Sequence, residues 1–143
     1  MAIPYLRVLS GVLWFVSAAH LLIGAGVNLA PASLPFLATL YGAEVSFTPE
    51  FTYILKPLGA FMFVLGLIAA AAARDPLRFR PVIYGFVILF VIRSGQRLVF
   101  GQEIAEIFGI DGARNLLAML FFLALAGTIV GLERAASRAE SAA

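Results

Sequence analysis

Residues 51–73 read FTYILKPLGAFMFVLGLIAAAAA, and this run is the clearest structural signal in the chain. Its only charged side chain is Lys56, and its length suits a membrane-crossing helix, which takes about 20 mainly apolar residues. Three further windows have the same character, at about residues 5–27, 82–100 and 113–132. The sequence therefore predicts an all-α membrane protein built as a four-transmembrane-helix bundle.

The composition supports this prediction and excludes several kinds of site. The chain has 143 residues, of which 62% are hydrophobic and 13% charged, with no cysteine and one histidine. Soluble domains average about 45–50% apolar and about 25% charged residues. The missing cysteines exclude a disulfide scaffold and a thiolate metal site, and a single histidine excludes a bis-histidine haem within one copy. We expect one transmembrane domain over residues 1–143, no metal or haem, and no nucleic-acid partner.

Helix-boundary signals agree with the four windows. Thr48 followed by Pro49 is typical of an N-cap and a first helical position, so a helix is predicted to begin there. Asp111 is placed to cap the fourth helix in the same way. Pro76 follows the second window closely and indicates that the helix ends before it.

A weak internal repeat is visible in the two outer connections. LATLYG at residues 37–42 resembles IAEIFG at residues 104–109, and each hexamer ends in an aromatic residue followed by glycine. Both are predicted to form short interfacial helices on the outer side, with the apolar face toward the membrane. Because each copy holds two spans, the halves would share one orientation, as a 2+2 parallel repeat.

Small and aromatic residues suggest how the helices pack. Gly66 with Ala70, and Gly127 with Gly131, have the four-residue spacing that lets helices approach closely in membranes. Trp14 lies near the middle of its span, too deep for an interfacial aromatic belt, so we expect it in the packed core.

The basic residues predict the orientation. Cytoplasmic loops carry an excess of Lys and Arg near the membrane ends. The side that holds both termini and the connection at 74–80 carries six arginines, Arg7, Arg74, Arg78, Arg80, Arg134 and Arg138. The other side carries four basic residues, Lys56, Arg93, Arg97 and Arg114. Both termini, including the tail at 133–143, are therefore predicted to be cytoplasmic.

Polar side chains of all four windows gather in the outer half of the predicted bundle. Arg93, Gln96 and Arg97 stand at i, i+3 and i+4, so they share one helix face and are predicted to point into the bundle or at another protein. The candidate ligand-binding or structural polar cluster contains His20, Lys56, Arg93, Gln96, Arg97, Glu103, Glu106, Arg114 and Asn115.

This cluster has three interpretations. Glu103 and Glu106 could face Arg97 or Arg114, which would make the cluster an ion-pair network that holds the helices in register. The same residues could form a pocket for a head group or a small ligand. An acid–base site is the third interpretation, but no catalytic residue is assigned. His20 is either a packing residue or a hydrogen-bonding group for a quinone.

Four segments carry a family resemblance. KPLG at 56–59, ARDP at 73–76, RPVIYG at 80–85 and RSGQR at 93–97 resemble the small four-helix bacterial membrane proteins of the DoxX-like and BphX-like groups. Some members of those groups are linked to membrane redox systems, including quinone-dependent sulfur oxidation and aromatic degradation. The resemblance implies a protein of the bacterial inner membrane, and an accessory or quinone-linked subunit. Lys56, Arg93, Gln96 and Arg97 would be its characteristic polar residues.

These observations favour a non-catalytic accessory subunit of a larger membrane complex, such as an electron-transfer complex. The expected partners are the lipid bilayer and other membrane subunits, and a quinone or a bound lipid is the candidate cofactor. One alternative is a quinone-linked oxidoreductase subunit that binds a head group in the outer-half cluster. Another is a homo-oligomeric transporter of small molecules or anions, with the arginines along its path.

Overall fold

The computed structural model describes residues 3–141, and within that range it contains helices, turns and loops but no strand. Four helices are long and apolar enough to cross a membrane, α1 (Ile3–Leu29), α3 (Pro49–Arg74), α4 (Arg80–Val99) and α6 (Gly112–Ser141). Two eight-residue helices join them, α2 (Leu34–Tyr41), which follows a 3-10 turn at Pro31–Ser33, and α5 (Gly101–Phe108). The predicted four-helix fold with two short connecting helices is confirmed.

The two ends of the bundle differ in construction. One end carries α2 and α5 with the segments that follow them, and is called the α2–α5 end below. The opposite end carries both ends of the described chain and the short connection between α3 and α4, and is called the terminal end. At the terminal end α6 continues to Ser141, so most of the segment predicted as a tail is helical and extends the fourth span.

The boundaries of the long helices follow from local hydrogen bonds. The Thr48 hydroxyl accepts a hydrogen bond from the Phe51 backbone N–H at 3.2 Å, and Pro49 is the first residue of α3. The Asp111 carboxylate accepts one from the Arg114 N–H at 2.8 Å. Both predicted N-caps are therefore present. The N–H groups of a first helical turn have no partner within the helix, and these side chains satisfy one in each case.

The helix pairing supports a division into two similar halves. α1 packs mainly on α3, and α4 mainly on α6, while α1 also touches α6 and α3 also touches α4. In each half a serine hydroxyl of the first long helix donates to a carbonyl of the second, Ser17 to Gly66 at 2.8 Å and Ser94 to Met119 at 3.1 Å. The short helix of each half ends in a left-handed glycine, Gly42 at φ 70° and Gly109 at φ 65°.

Glycines allow α1 and α3 to approach closely. A Cβ atom on Gly24 would lie 2.5 Å from the Phe63 backbone nitrogen, and one on Gly66 would lie 2.7 Å from Leu21 Cγ. The close approach predicted at Gly66 is therefore present. Gly127 and Gly131 behave differently, because a Cβ atom on either would meet no atom within 4 Å in the described residues. That part of the small-residue pattern faces away from the bundle.

The packed core lies in the terminal half of the bundle. It is formed by Leu9, Leu13, Val16, Ala69, Ala72, Ala73, Ile83, Phe86, Phe90, Phe122, Ala126 and Ile129. Trp14 is not part of it, because 43% of its surface is exposed. The expectation that Trp14 packs in the core is wrong, since the buried stripe of α1 runs through Leu13, Val16 and Ser17 instead.

Candidate functional site

At the α2–α5 end the bundle is hollow. A cleft of about 660 Å³ lies between α1 and α6, with Phe90 of α4 behind it and Thr39–Gly42 covering it. A second cleft of about 400 Å³ lies between α3 and α4, covered by α2, α5 and the segments after them. Long helices of both halves of the molecule bound each cleft. The hollow space follows from this arrangement. The helices pack closely within the pairs α1–α3 and α4–α6, whereas the two pairs pack against each other less extensively.

Arg93 and Arg97 line both clefts. They are one helical turn apart on α4, so their side chains project from the same face, as the spacing predicts. The Arg93 guanidinium carbon lies 4.4 Å from the centroid of the Phe122 ring, which is within the range of a cation–π contact. Among residues 3–141, neither guanidinium forms an ion pair with a carboxylate.

Asn115 holds Arg97 in place. Arg97 Nη1 donates to Asn115 Oδ1 at 2.9 Å, and Asn115 Nδ2 donates to the Arg97 carbonyl at 2.8 Å. The two hydrogen bonds join α4 to α6 at the level of the clefts. Only the first of them uses the guanidinium, which has five N–H donors, so Arg97 keeps donors for another partner.

His20 lies on the wall of the larger cleft with 6% of its surface exposed. Its Nδ1 donates to the Val16 carbonyl at 2.8 Å, and its ring stands edge-on to Phe86 with centroids 5.9 Å apart. Because a carbonyl only accepts, Nδ1 carries the hydrogen, and the neutral ring has its lone pair on Nε2. Nε2 has no hydrogen-bond partner among the described residues.

Arg114 lies at the mouth of the same cleft. Its side chain rests on the end of α2, because a Cβ atom on Gly42 would lie 2.5 Å from Arg114 Nη1. Its Nε pairs with Asp111 at 3.4 Å, and both side chains are exposed. An exposed pair within one helical turn contributes little to stability, so its main effect is to direct the guanidinium across the mouth.

The remaining residues of the predicted cluster lie apart from these. Gln96 lines only the smaller cleft, and Lys56 is exposed on α3 and lines neither. Glu103 and Glu106 are exposed on α5, and the ion pairs expected with Arg97 or Arg114 are not formed. The reason is the amphipathic character of α5, whose Ile104 and Phe108 line the smaller cleft while its glutamates are exposed away from it.

The structure thus brings together His20, Arg93, Arg97, Arg114 and Asn115, with Gln96 beside them. In the described part of the chain, the only ion pair at this end is the one between Arg114 and Asp111. The arrangement is a basic site inside an apolar cleft. Guanidinium groups in such surroundings bind oxyanions, since the planar fork matches the geometry of phosphate and carboxylate.

A second polar cluster, at the terminal end, was missed in the sequence. Glu133 is 5% exposed and receives a hydrogen bond from the Tyr84 hydroxyl at 2.7 Å and from the Ser137 hydroxyl at 2.9 Å. Arg80 Nε lies 3.2 Å from the Glu133 carboxylate, and Arg80 Nη2 donates to the Ser137 oxygen at 2.6 Å. These contacts fasten the extension of α6 to the start of α4.

A signal for this second cluster exists in the sequence. Arg80 and Tyr84 are four residues apart, as are Glu133 and Ser137, so each pair lies on one face of its helix. Assigning residues 133–143 to a tail concealed the second pair. The Glu133 carboxylate accepts hydrogen bonds from Tyr84 and Ser137, whereas the buried Arg80 Nε lies near it without forming a hydrogen bond in the described residues. We interpret the cluster as structural.

No protein-family model, curated protein or solved structure matches this chain. The resemblance to the DoxX-like and BphX-like groups, drawn from four short segments, stays a prediction.

Proposed function

We propose that the protein binds the head group of an anionic amphiphile in the cleft between α1 and α6. The observation that carries the proposal is the position of Arg93 and Arg97, which lie one turn apart inside the hollow end of the bundle without a carboxylate partner in residues 3–141. A charged side chain within a membrane costs about 2.5–3.5 kcal/mol at the centre of a helix and less toward its end, where Arg93 and Arg97 lie. A bound anion would offset that cost.

The walls of the cleft favour an amphiphile over a free anion. Phe15, Ile23, Leu117, Phe121 and Leu125 line it beside the arginines. Ligand sites that are mainly apolar, with a few convergent polar groups, fix the orientation of a molecule that has both characters. The head group would lie at Arg93 and Arg97, and an apolar chain would extend along the wall.

The experiment titrates the purified protein in a sugar-based detergent with phosphatidylglycerol or with phosphatidylcholine. Native mass spectrometry, in which the protein is released from the detergent, then measures the bound lipid. Phosphatidylglycerol is expected to bind at least about tenfold more tightly than phosphatidylcholine, since its net negative charge complements the guanidinium groups. Arg93→Gln should remove this preference, and Arg93→Lys should restore part of it, because lysine keeps the charge but not the planar fork. Arg138→Gln, at an exposed position on the α6 extension, is the matched control.

Equal binding of the two lipids, or equal effects of Arg93→Gln and Arg138→Gln, would contradict the proposal. The two arginines differ in the property under test. Arg93 is half-buried in both clefts, and Arg138 is exposed at the opposite end.

This binding role is compatible with an accessory subunit of a larger membrane complex, which is the function favoured by the sequence. An electron-transfer complex is the proposed assembly, on the resemblance alone. Purification from native membranes tests it. Co-migrating subunits are expected, and migration only as a monomer or homo-oligomer would remove the accessory interpretation.

A quinone-linked oxidoreductase subunit is a second candidate, and the geometry of His20 favours it. The neutral ring presents a lone pair on Nε2, which suits it to accept a hydrogen bond or a proton from a quinol hydroxyl. Quinone-dependent electron transfer would then be lost in His20→Ala and in Arg93→Ala. Unchanged turnover in both variants would exclude it.

For the orientation, we propose that both termini face the cytoplasm across a bacterial inner membrane. Arg7, Arg74, Arg78, Arg80, Arg134 and Arg138 support it, since all six belong to the terminal end. A reporter enzyme active only in the periplasm, fused after Ala143, is expected to be inactive, whereas a fusion within residues 43–47 should be active. The reverse pattern would invert the topology.

A further inference from the structure

His20 presents an unpaired hydrogen-bond acceptor to the larger cleft. Its Nδ1 donates to the Val16 carbonyl at 2.8 Å, so the lone pair of the neutral ring lies on Nε2. Nε2 has no hydrogen-bond partner within residues 3–141. The buried polar atoms that lack a partner in that range are Ser33 Oγ and Arg80 Nε, and Nε2 is not among them, so it is accessible. Because His20 is otherwise buried and lines the larger cleft, Nε2 faces the cleft.

Two phenylalanine rings connect His20 to the basic site. The His20 ring lies beside Phe90 with centroids 6.5 Å apart, and Phe90 stacks on Phe122 at 5.9 Å with ring planes 15° apart. The Arg93 guanidinium carbon lies 4.4 Å from the centroid of the Phe122 ring. All four side chains line the larger cleft. The cationic donor of Arg93 and the neutral acceptor of His20 therefore border the same pair of rings.

His20 and Arg93 are also neighbours of one residue, Phe90. Arg93 follows Phe90 by three positions on α4, and residues with this spacing share a helix face with Cβ atoms about 5–6 Å apart. His20 lies beside Phe90 from the opposite wall, on α1. A head group whose oxyanion pairs with Arg93 is therefore placed so that a second polar group, a few bonds away, can meet Nε2.

We propose that the head group bound at Arg93 and Arg97 carries a hydroxyl, which donates a hydrogen bond to His20 Nε2. The proposal rests on the head-group binding proposed above and narrows the ligand to anionic amphiphiles with a hydroxyl a few bonds from the oxyanion, as in a glycerol phosphate ester. An acceptor without a partner in an apolar cleft is unfavourable, and this hydroxyl would satisfy it. An ammonium group also donates, but the two guanidinium groups would repel its positive charge.

Two anionic lipids that differ in this hydroxyl test the proposal. Phosphatidylglycerol and phosphatidylethanol with the same acyl chains carry the same charge, but only phosphatidylglycerol has hydroxyls in its head group. In native mass spectrometry, phosphatidylglycerol is expected to bind about fivefold more tightly, which is the effect of one hydrogen bond.

Phosphatidylcholine separates the failure of this proposal from the failure of head-group binding. If both anionic lipids bind more tightly than phosphatidylcholine but equally to each other, the hydroxyl proposal is overturned and head-group binding stands. If neither binds more tightly than phosphatidylcholine, head-group binding is overturned and the hydroxyl proposal with it.

His20→Phe removes the acceptor and keeps an aromatic ring. It is expected to abolish the preference for phosphatidylglycerol over phosphatidylethanol, while both still bind more tightly than phosphatidylcholine. No carbonyl is left unsatisfied, because the Val16 carbonyl also accepts the backbone N–H four residues later in α1. Asn28→Ala is the matched control, since Asn28 likewise donates to the carbonyl four residues before it but lines neither cleft. A preference that persists in His20→Phe, or that Asn28→Ala removes equally, would contradict the role of His20.

The chain has one histidine, so the ring nitrogens of His20 give an unambiguous nuclear magnetic resonance signal. The protein is made with isotopically labelled histidine and purified through a tag that contains none. A hydrogen bond accepted by Nε2 shifts its resonance, and this shift is expected with phosphatidylglycerol and not with phosphatidylethanol. The measurement uses the unmodified chain, so it decides the proposal even if circular dichroism and gel filtration show that His20→Phe is misfolded. The same Nε2 resonance with both lipids would overturn the assignment of Nε2 as the acceptor.

Discussion

Arg97 and Asn115 hydrogen-bond each other in both directions, the guanidinium to the amide oxygen at 2.9 Å and the amide nitrogen to the Arg97 carbonyl at 2.8 Å. The pair joins α4 to the first turn of α6 at the level where the bundle is hollow. It holds an arginine of the proposed site without neutralising it, because asparagine is uncharged. The site therefore has defined geometry and retains its positive charge.

Asn115→Ala should destabilise the protein by about 1 kcal/mol, a usual value for an interhelical hydrogen-bonding side chain in a membrane protein. Unfolding by a denaturing detergent, followed by circular dichroism, measures the change. Asn28→Ala is the control, since within residues 3–141 Asn28 donates only to the Gly24 carbonyl of its own helix. Equal losses in the two variants would show that the link between α4 and α6 contributes nothing specific.

Gly24→Leu is expected to lower the free energy of unfolding by about 3 kcal/mol, because the leucine side chain would enter the space occupied by the α3 backbone at Phe63. The same detergent titration applies. Gly127→Leu, at a position with open space, should change the midpoint little. A comparable loss at Gly127 would indicate that α6 packs against a partner through that face.

Glu133→Gln should weaken the attachment of the α6 extension by about 2 kcal/mol, because Arg80 loses its carboxylate partner. The loss is smaller than for a fully buried ion pair, since 38% of the Arg80 side chain is exposed to water. Faster tryptic cleavage after Arg138 is the expected result. Glu140→Gln removes only the exposed contact at 3.4 Å and should leave the cleavage rate nearly unchanged. If both variants are cleaved equally fast, the buried carboxylate does not anchor the extension.

Trp14 is the only tryptophan in the chain, and 43% of its surface faces outward near the middle of α1. Its fluorescence should be quenched strongly by lipids brominated deep in the acyl chain, and weakly by lipids brominated near the head group. Vesicles with bromine at different depths provide the measurement. Quenching that does not depend on depth would show that another subunit or copy covers this face.

Helix number and most helix boundaries were predictable because they depend on local properties, whereas the end of α6 at Ser141 was missed. The hydrophobic length of residues 51–73 sets a membrane-spanning helix, and the side chains of Thr48 and Asp111 bond to backbone groups three residues away. The repeat of short helices was also visible, since Tyr41-Gly42 and Phe108-Gly109 place a left-handed glycine at the same point of each half. None of these features requires knowledge of the partner helix.

Membership of the candidate site was harder to predict. The spacing of Arg93 and Arg97 placed them on one face, but the positions of Glu103 and Glu106 depended on which side of α5 faces the bundle. Charge balance favoured ion pairs that the structure does not form. The apolar face of α5 covers the smaller cleft instead, because burial of that face outweighs exposed ion pairs of small net value.

The amino-acid sequence by itself determined that this chain forms four apolar helices with two short helices between them, and that Arg93 and Arg97 share one face of α4. Only the tertiary structure decided that Arg93 and Arg97 line two clefts, that Glu133 is buried against Tyr84 and Arg80, and that Trp14 faces outward. The physical reason is that the backbone hydrogen bonds of a helix form within its own segment, so a helix can be predicted without its neighbours. The rotation of each helix about its axis is set by packing against residues far away in the chain.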